Sequence, residues 1–327
     1  MAEILKTPDK GYWGRRAAFG LLKDLNCALA TREVCQDMIG RREDQVLKAV
    51  SGLEGGGVAS GSTCGVATGG ALGLALMRED EIRQSGTAAE KAVLKEVGDY
   101  LDWYRNIYGS YLCRERVGLD FYKVQGQIRY LLPGDKMGRC FWHIRGAMRY
   151  LNSVANQPLK METEDPAMDG RPPIHCATAV LARIREQTGI GHPLLEKLGF
   201  VFDGGVGFKG GICGALVGAL MGVNQVMGPD VRDMSYWQNI KGFVKGHINL
   251  LRRLPETVDE PFAAGRQLVE RFRQAAGAIE CKAIISRRFT GWNDFQDFIG
   301  ESATCSELCD IAAKKAAALI SKSTTGL

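Results

Sequence analysis

The chain contains the stretch GGGVASGSTCGVATGGALG, residues 55–73, and a second version of it, GGVGFKGGICGALVGALMG, residues 204–222. Six glycines and one cysteine coincide between the two stretches without a gap. The match extends further back, because a cysteine precedes each stretch at the same distance, Cys27 before Cys64 and Cys176 before Cys213. The chain is therefore an internal duplication, and the repeat determines where its cysteines lie.

Each repeat carries four cysteines at matching positions, which are Cys27, Cys64, Cys113 and Cys140 in the first and Cys176, Cys213, Cys281 and Cys309 in the second. The second repeat has an insertion between its second and third cysteines, within Pro229–Ala264. The other two cysteines break the symmetry. We interpret Cys35 as a small buried apolar residue. Cys305, one helical turn before Cys309, is left open as a possible neighbour of the second set.

Helical periodicity dominates both repeats. It predicts helices over Ala17–Ile39, Cys64–Met77, Ala88–Tyr108, Cys140–Ala155 and His175–Gln187. Only Gln127–Leu132 and Phe200–Phe202 are weak strand candidates. Asn156–Pro173 contains four prolines and little apolar pattern, as expected of a linker. We therefore predict an all-α fold with two tandem helical repeats, residues 1–155 and 174–327, joined by a linker at 156–173 and related by a pseudo-twofold axis.

Composition narrows the class of protein. Of the 327 residues, 45% are apolar and 24% are charged, which is typical of a soluble globular protein. The net charge of +5 comes from dispersed basic residues and does not indicate nucleic-acid binding. The most apolar runs, Gly65–Met77 and Gly211–Met227, are shorter than the ~20 residues of a membrane span, so we expect buried helices. Residues 1–16 show no export signal, so we predict a cytoplasmic protein whose cysteines serve metal or redox chemistry.

Four thiolates per repeat suit an iron–sulfur cluster or a zinc ion. Structural zinc sites usually place two ligands on one short C-x₂₋₄-C knuckle. Here every cysteine comes from a different segment, which favours an iron–sulfur cluster held among packed helices, as [2Fe–2S] or [4Fe–4S]. A cluster-free thiol/disulfide oxidoreductase, a structural or regulatory metal-binding module and buried structural thiols remain open. The sequence identifies no redox partner and leaves a homo-oligomer possible.

The glycines have two predicted roles. Those that follow Cys64 and Cys213 recur every four residues on one helix face, where each costs about 1 kcal/mol relative to alanine. Close approach of a neighbouring helix would offset this cost. The loops before them place backbone amides at a helix N-terminus, so we predict cofactor-binding roles for Gly61, Gly65, Gly210 and Gly214. Phosphate binding is the weaker interpretation, since neither loop has a Walker pattern. No histidine is shared between the repeats, so a role for His143 is left open.

The order of four cysteines with Cys213-Gly214-Ala215-Leu216-Val217-Gly218 resembles the C-GCAxxG-C-C family of redox-active proteins. The first repeat fits the same scheme through Cys64-Gly65-Val66-Ala67-Thr68-Gly69. Neither repeat has the Gly-Cys-Ala core, because Thr63 or Ile212 precedes the Cys-Gly pair. The family is similar to the non-haem part of split-Soret cytochromes, and this resemblance implies an iron–sulfur site in each repeat. It names no substrate.

The two repeats differ around their matched cysteines. Only the second has the insertion, with Trp237, Phe243, His247 and the basic pair Arg252-Arg253. Only the first has His143 near Cys140. Hydrogen bonding, charge and solvent exposure tune the potential of a cluster. We therefore predict two redox centres with different potentials.

Overall fold

The computed structural model describes residues 11–131, 135–161, 172–230, 233–251 and 261–324. The helices of the first repeat are α1 (Tyr12–Asp24), α2 (Cys27–Met38), α3 (Asp44–Val50), α4 (Gly65–Met77), α5 (Glu79–Ser85), α6 (Thr87–Tyr108), α7 (Cys113–Val117), α8 (Val124–Leu131) and α9 (Asp135–Ala155). A 3₁₀ turn, Ser51–Gly56, leads into the first glycine loop.

The second repeat follows the same order. Its helices are α10 (Cys176–Thr188), α11 (Pro193–Leu198), α12 (Gly214–Met227), α13 (Tyr236–Leu251), α14 (Pro261–Ala276), α15 (Cys281–Ile285), α16 (Trp292–Glu301) and α17 (Ala303–Thr324). The 3₁₀ turn Gly199–Phe202 matches the turn of the first repeat. Across the described ranges there is no β-strand, and extended segments pair only at two single bridges, Thr63 with Leu112 and Ile212 with Glu280. The predicted all-α class is confirmed.

Two local predictions were wrong. The strand candidates are helical, because residues 127–131 belong to α8 and Phe200–Phe202 to a 3₁₀ turn, while Leu132 lies outside the described residues. The single helix predicted over Ala17–Ile39 is two helices. Leu25 adopts a left-handed conformation with φ 54°, and the side chain of Asn26 then caps α2 by accepting a hydrogen bond from the amide of Leu29. Apolar periodicity continues across this break and does not reveal it.

The predicted close approach at the helical glycines is confirmed. Every residue of α4 is buried, and α4 packs against α2 as α12 packs against α10 and α17. A methyl group built on Gly69 would lie 2.5 Å from the carbonyl oxygen of Ala28, and one on Gly218 2.7 Å from that of Ala177. The glycines therefore bring the helices that begin at Cys27 and Cys176 against the helices that follow Cys64 and Cys213. No helix in the described ranges is long and apolar enough to cross a membrane.

The repeats are related by a pseudo-twofold axis, and each repeat packs its glycine loop on the other. Thr63 meets its own counterpart, since its Oγ1 accepts a hydrogen bond of 2.9 Å from the amide of Ile212. Gly207 of the second loop packs on Gly98 of α6. Val58, the counterpart of Gly207, packs on Gly265 of α14. The two repeats therefore share one core rather than touching at a surface.

The insertion of the second repeat contributes α13, which packs on α1 of the first repeat. His247 of α13 is buried, and its Nδ1 lies 2.6 Å from Oε1 of Gln127 on α8. Its ring also stacks on Tyr130, with centroids 6.3 Å apart. Arg252 and Arg253, and residues 162–171 of the predicted linker, lie outside the described residues. The insertion thus packs on α1 and α8 of the first repeat, a role that the sequence did not reveal.

Candidate redox centre

Three of the four matched cysteines in each repeat lie at helix N-termini. Cys27 begins α2, Cys64 immediately precedes α4, and Cys113 begins α7. Cys176, Cys213 and Cys281 hold the same places on α10, α12 and α15. The fourth, Cys140 or Cys309, lies within the long helix α9 or α17. Helix N-termini carry partial positive charge, which favours the thiolate form and opposes the effect of burial on these thiols.

Backbone hydrogen bonds hold the second and third cysteines side by side. The amide of Cys64 donates to the carbonyl of Tyr111 at 2.8 Å, and the amide of Cys113 donates to that of Ser62 at 2.7 Å. The second repeat repeats this pair of bonds, from Cys213 to Ile279 and from Cys281 to Gly211, at the same two distances. The spacing of the second and third cysteines is therefore set by backbone hydrogen bonds between their segments and is independent of side-chain rotamers.

The first cysteine of each repeat lies close to the second because the residue after the second cysteine is a glycine. A methyl group on Gly65 would lie 2.5 Å from Sγ of Cys27, and one on Gly214 would lie 2.9 Å from Cβ of Cys176. In the first repeat the interaction between the two neighbouring thiols raises the pKa of Cys27 and lowers that of Cys64. In the second, the thiol of Cys309 donates to the backbone carbonyl of Cys176 at 3.9 Å. All ten cysteines are free thiols.

The second set of cysteines surrounds one cavity. A small cavity of about 20 Å³ lies between side chains that include Cys176, Cys213, Cys281 and Cys309. Cys305 lines the same cavity, and the remaining walls are mostly apolar, among them Phe289 and Phe295. In the first set, burial raises the pKa of Cys113, and negative charge on Cys64 and Cys140 raises it further. Among the described residues, no three His, Cys, Asp or Glu side chains converge closely enough to hold a single metal ion.

Comparison with known protein families agrees with this duplication. The model of the family "Putative redox-active protein (C_GCAxxG_C_C)" matches residues 25–153 and, a second time, residues 174–319. The chain belongs to this family. It contains two C_GCAxxG_C_C units in tandem, and each match contains one complete set of four cysteines. No curated protein and no solved structure matches the chain.

The cysteines of the first C_GCAxxG_C_C unit are surrounded by hydroxyl donors. The Tyr104 hydroxyl donates to Sγ of Cys64 at 3.3 Å, and the Tyr130 hydroxyl lies 3.9 Å from Sγ of Cys140. The hydrogen bond from Cys27 lowers the pKa of Cys64 to about 6, with further contributions from Tyr104 and the amides of Val66 and Ala67. The lowered pKa favours the thiolate form of Cys64, and this sulfur receives amide hydrogen bonds from Val66 and Ala67 rather than from the predicted glycines.

The second unit lacks these hydroxyl groups. Phe272 matches Tyr104 in the register that pairs Gly277 with Gly109, and it is buried without a hydroxyl group. Burial raises the pKa of Cys213 to about 12 despite the amides of Ala215 and Leu216. The two units thus place the same four thiols in different surroundings, with tyrosine hydroxyls beside two of the thiols in the first unit and a phenylalanine at the position of Tyr104 in the second.

A matched pair of buried carboxyl groups, missed in the sequence, lies just before the glycine loops. Glu54 and Asp203 each precede the Gly-Gly pair, and both are buried. Burial raises the pKa of Glu54 to about 8, and its Oε1 has no hydrogen-bond partner. Asp203 accepts a hydrogen bond of 3.1 Å from the amide of Cys176 and lies 2.7 Å from Nδ1 of His175. The sequence does carry a signal for this pair, because both acids directly precede the Gly-Gly pair of their repeat.

The pKa values of two histidines are shifted in opposite directions. Burial alone would lower the pKa of His175, but Asp203 and Glu90 raise it to about 10, so this histidine is charged. Glu90 lies on α6 and therefore links the first unit to the second site. Burial, with Arg116, lowers the pKa of His143 to about 4, and its Nε2 lies 2.6 Å from that arginine. His143 is a neutral ring that packs on Tyr104 and Tyr108.

The predicted glycine sites and Cys35 have clear structural roles. The amide of Gly61 donates to Gly55 and that of Gly210 donates to Gly204, so both amides bond within their own loops. Both glycines have positive φ and lie against the third-cysteine helix, where a methyl group would meet Arg114 or Lys282. Cys35 is fully buried against Gly73, and Ile184 holds the same place against Gly222 in the second repeat. Burial raises the pKa of Cys35 to about 12. The interpretation of Cys35 as an apolar core residue is confirmed.

Proposed function

We propose that each C_GCAxxG_C_C unit binds one iron–sulfur cluster through its four cysteines, and that the chain transfers electrons. The observation that supports this most directly is the second cavity, which all four cysteines line. Single zinc ions hold sulfur at about 2.3 Å from one point, whereas a cluster is a larger body that thiolates attach to at separate iron atoms. Four thiols that face one common space, with no three of the described ligand side chains converging on a single metal position, suit attachment at separate iron atoms.

The surrounding residues have defined roles in this proposal. When bound, the cluster supplies reversible electron transfer. The N-termini of α2, α4 and α7 stabilise negative charge on the thiolates, as do those of α10, α12 and α15. Tyr104 donates to one sulfur, and the apolar walls of the second site exclude water. Close helix packing at the glycines fixes the distance between the first and second cysteines.

The first test is the metal content of protein that is purified without oxygen. We expect iron and acid-labile sulfide in similar amounts, and visible absorption that dithionite bleaches. Cys213→Ser should remove about half of the iron, because it removes one ligand from one of two sites. Cys35→Ala is the matched control and should retain all of it, since this buried cysteine packs on Gly73 away from the ligands. Colourless protein that contains only zinc would contradict the proposal.

A second candidate function is thiol/disulfide exchange without a cluster. It is favoured by the neighbouring thiols Cys27–Cys64 and Cys176–Cys309, because interaction with the partner lowers the pKa of Cys64 and of Cys309. A lowered pKa provides the thiolate that attacks a disulfide. Titration of free thiols in iron-free protein would support this function if two thiols per unit were lost and recovered reversibly.

We predict that the two centres have different potentials. Tyr104→Phe should lower the potential of the first centre by less than roughly 60–130 mV, the value that a whole hydrogen bond of about 1.5–3 kcal/mol would give, because the bond is made in both oxidation states and strengthens on reduction. Potentials are measured by redox titration with electron paramagnetic resonance. Phe272→Tyr, at the matching position of the second unit, is the reciprocal variant and should leave the first centre unchanged. Identical potentials in the two halves of the unmodified protein would refute this prediction.

A further inference from the structure

A cleft of about 480 Å³, here called the junction cleft, lies where the two repeats meet. One wall is α6 between Lys91 and Asp99, a second is the glycine loop at Gly207–Lys209, and the third is the segment Phe289–Asp294. This volume is within the range of about 300–1,000 Å³ that small-molecule sites occupy. The cleft is separate from the cavity that the cysteines line.

The junction cleft exists at only one of two pseudo-equivalent places. At the other junction Tyr122 occupies the space, and its hydroxyl donates to the carbonyl of Val58 at 3.2 Å under the guanidinium of Arg266. Val58 corresponds to Gly207, and Tyr122 corresponds to Thr290 in the register that pairs Gly109 with Gly277. The duplicated fold therefore fills one junction with a tyrosine and leaves the other open, because smaller side chains stand at both positions.

The register that matches Tyr122 with Thr290 is supported by packing around these residues. Phe121 packs edge-on against Tyr130 with ring centroids 4.8 Å apart. Their counterparts in the same register, Phe289 and Phe298, pack together at 5.4 Å. The segment before α8 and the segment before α16 are thus equivalent pieces of the fold, and Thr290 stands where the first unit has a tyrosine.

The walls of the junction cleft combine aromatic rings with positive charge. Nζ of Lys91 lies 5.9 Å from the ring centroid of Trp292, so a cation already sits over an aromatic face. Lys95 gives a further positive charge, and Lys209 gives another that is already paired with Asp102. Asp99 and Asp294 are the carboxylates of the lining.

One of those two carboxylates is already engaged. Asp294 accepts hydrogen bonds from the amide and hydroxyl of Thr290 and pairs with Arg287. Lys209 lies 2.6 Å from Asp102 outside the cleft. A flat ring with an attached anionic group matches this combination of surfaces.

The position of the junction cleft relates it to the second site. Phe289 lines both the cleft and the cavity of the second cysteines. Phe208, in the cleft wall, packs at 5.3 Å on Phe295, which lines that cavity. A molecule in the cleft would therefore be separated from the second set of thiols by a single layer of phenylalanine rings.

We propose that the junction cleft binds a small planar molecule that carries negative charge. Binding requires only the walls described above and is independent of any cofactor at the cysteines. The binding proposal can therefore fail while the proposed electron-transfer function stands. The electron-transfer function can likewise fail while the binding proposal stands.

The test is a calorimetric titration of the purified full chain with anthraquinone-2-sulfonate, a planar anion. Lys91→Ala should weaken binding roughly five- to tenfold, because it removes a cation held over a ring. Thr290→Tyr should abolish binding, since it places in the cleft the residue that fills the equivalent junction. Lys160→Ala, at an exposed lysine elsewhere, is the control and should bind as the unmodified protein does.

Two comparator ligands test the chemical class. Sulfate, an anion without a ring, and N-methylquinolinium, a planar cation, should both bind at least tenfold more weakly. Circular dichroism of each variant verifies that it is folded, and Lys91→Ala keeps the test informative if Thr290→Tyr does not fold. Failure of the unmodified protein to bind the sulfonate at about 1 mM would overturn the proposal. Equal affinity for sulfate, or unchanged binding in both cleft variants, would also overturn it.

Discussion

Replacement of Gly69 by alanine should destabilise the protein by roughly 2–3 kcal/mol, although alanine is the better helix former. The added methyl group would lie 2.5 Å from the carbonyl oxygen of Ala28, a backbone atom of α2. A backbone atom cannot rotate away, so α2 and α4 must separate. The same movement carries Cys27 away from Cys64, and we expect iron to be lost from the first site alone.

Thermal unfolding and iron analysis test this expectation. Gly138→Ala is the matched control, since Gly138 also lies in a helix but a methyl group there meets no atom within 4 Å. That variant should be more stable by about 0.5–1 kcal/mol, the ordinary preference of a helix for alanine. If both variants changed stability by the same amount and in the same direction, close helix packing at Gly69 would not be the cause.

Glu54→Gln should stabilise the protein at pH 8.5 by on the order of 3 kcal/mol and have little effect at pH 5. Burial raises the pKa of Glu54 to about 8 from an ordinary value of 4.5. Between these values the folded protein keeps a proton that the unfolded chain releases. Stability therefore falls as the pH rises from 4.5 to 8 and is not lowered further by this group above 8. Glutamine carries no charge at either pH and removes the effect.

Urea unfolding at the two pH values measures this difference between the variant and the unmodified protein. Asp203→Asn, at the equivalent position, is the contrasting variant. It should destabilise at both pH values, because Asp203 pairs with a charged His175 and accepts the amide of Cys176. A stability that depended on pH equally with and without Glu54 would show that this carboxyl group is not protonated in the folded state.

The helices and the cysteine sets could be predicted because local sequence determines them. Gly65, Gly69 and Gly73 share one helix face, and no structure is needed to see that a neighbour must approach there. The break at Leu25 could not be predicted, since a left-handed leucine has no marker in the sequence. Asn26, which caps the N-terminus of α2, is a recognisable signal for a helix start. The apolar periodicity continues across it and hides that signal.

The surroundings of the thiols were not predictable, because they depend on contacts between distant segments. Tyr104 and Tyr130 occupy ordinary positions on amphipathic helices, and only the fold turns their hydroxyls toward sulfur. The helix contributed by the insertion, with His247 against Gln127, joins segments that lie far apart in the chain. Glu54 and Asp203 were the exception, as comparison of the two repeats position by position would have found them.

The exchange of glycine loops across the pseudo-twofold axis has an evolutionary consequence. Two identical chains that assembled in this way would receive every mutation twice, once in each site, and neither site could change alone. Fusion into one chain removes that restriction while each half still needs the other to complete its core. Tyr104 and Phe272, and Tyr122 and Thr290, are the kind of divergence that follows, in which one copy retains a chemical group and the other is free to lose it.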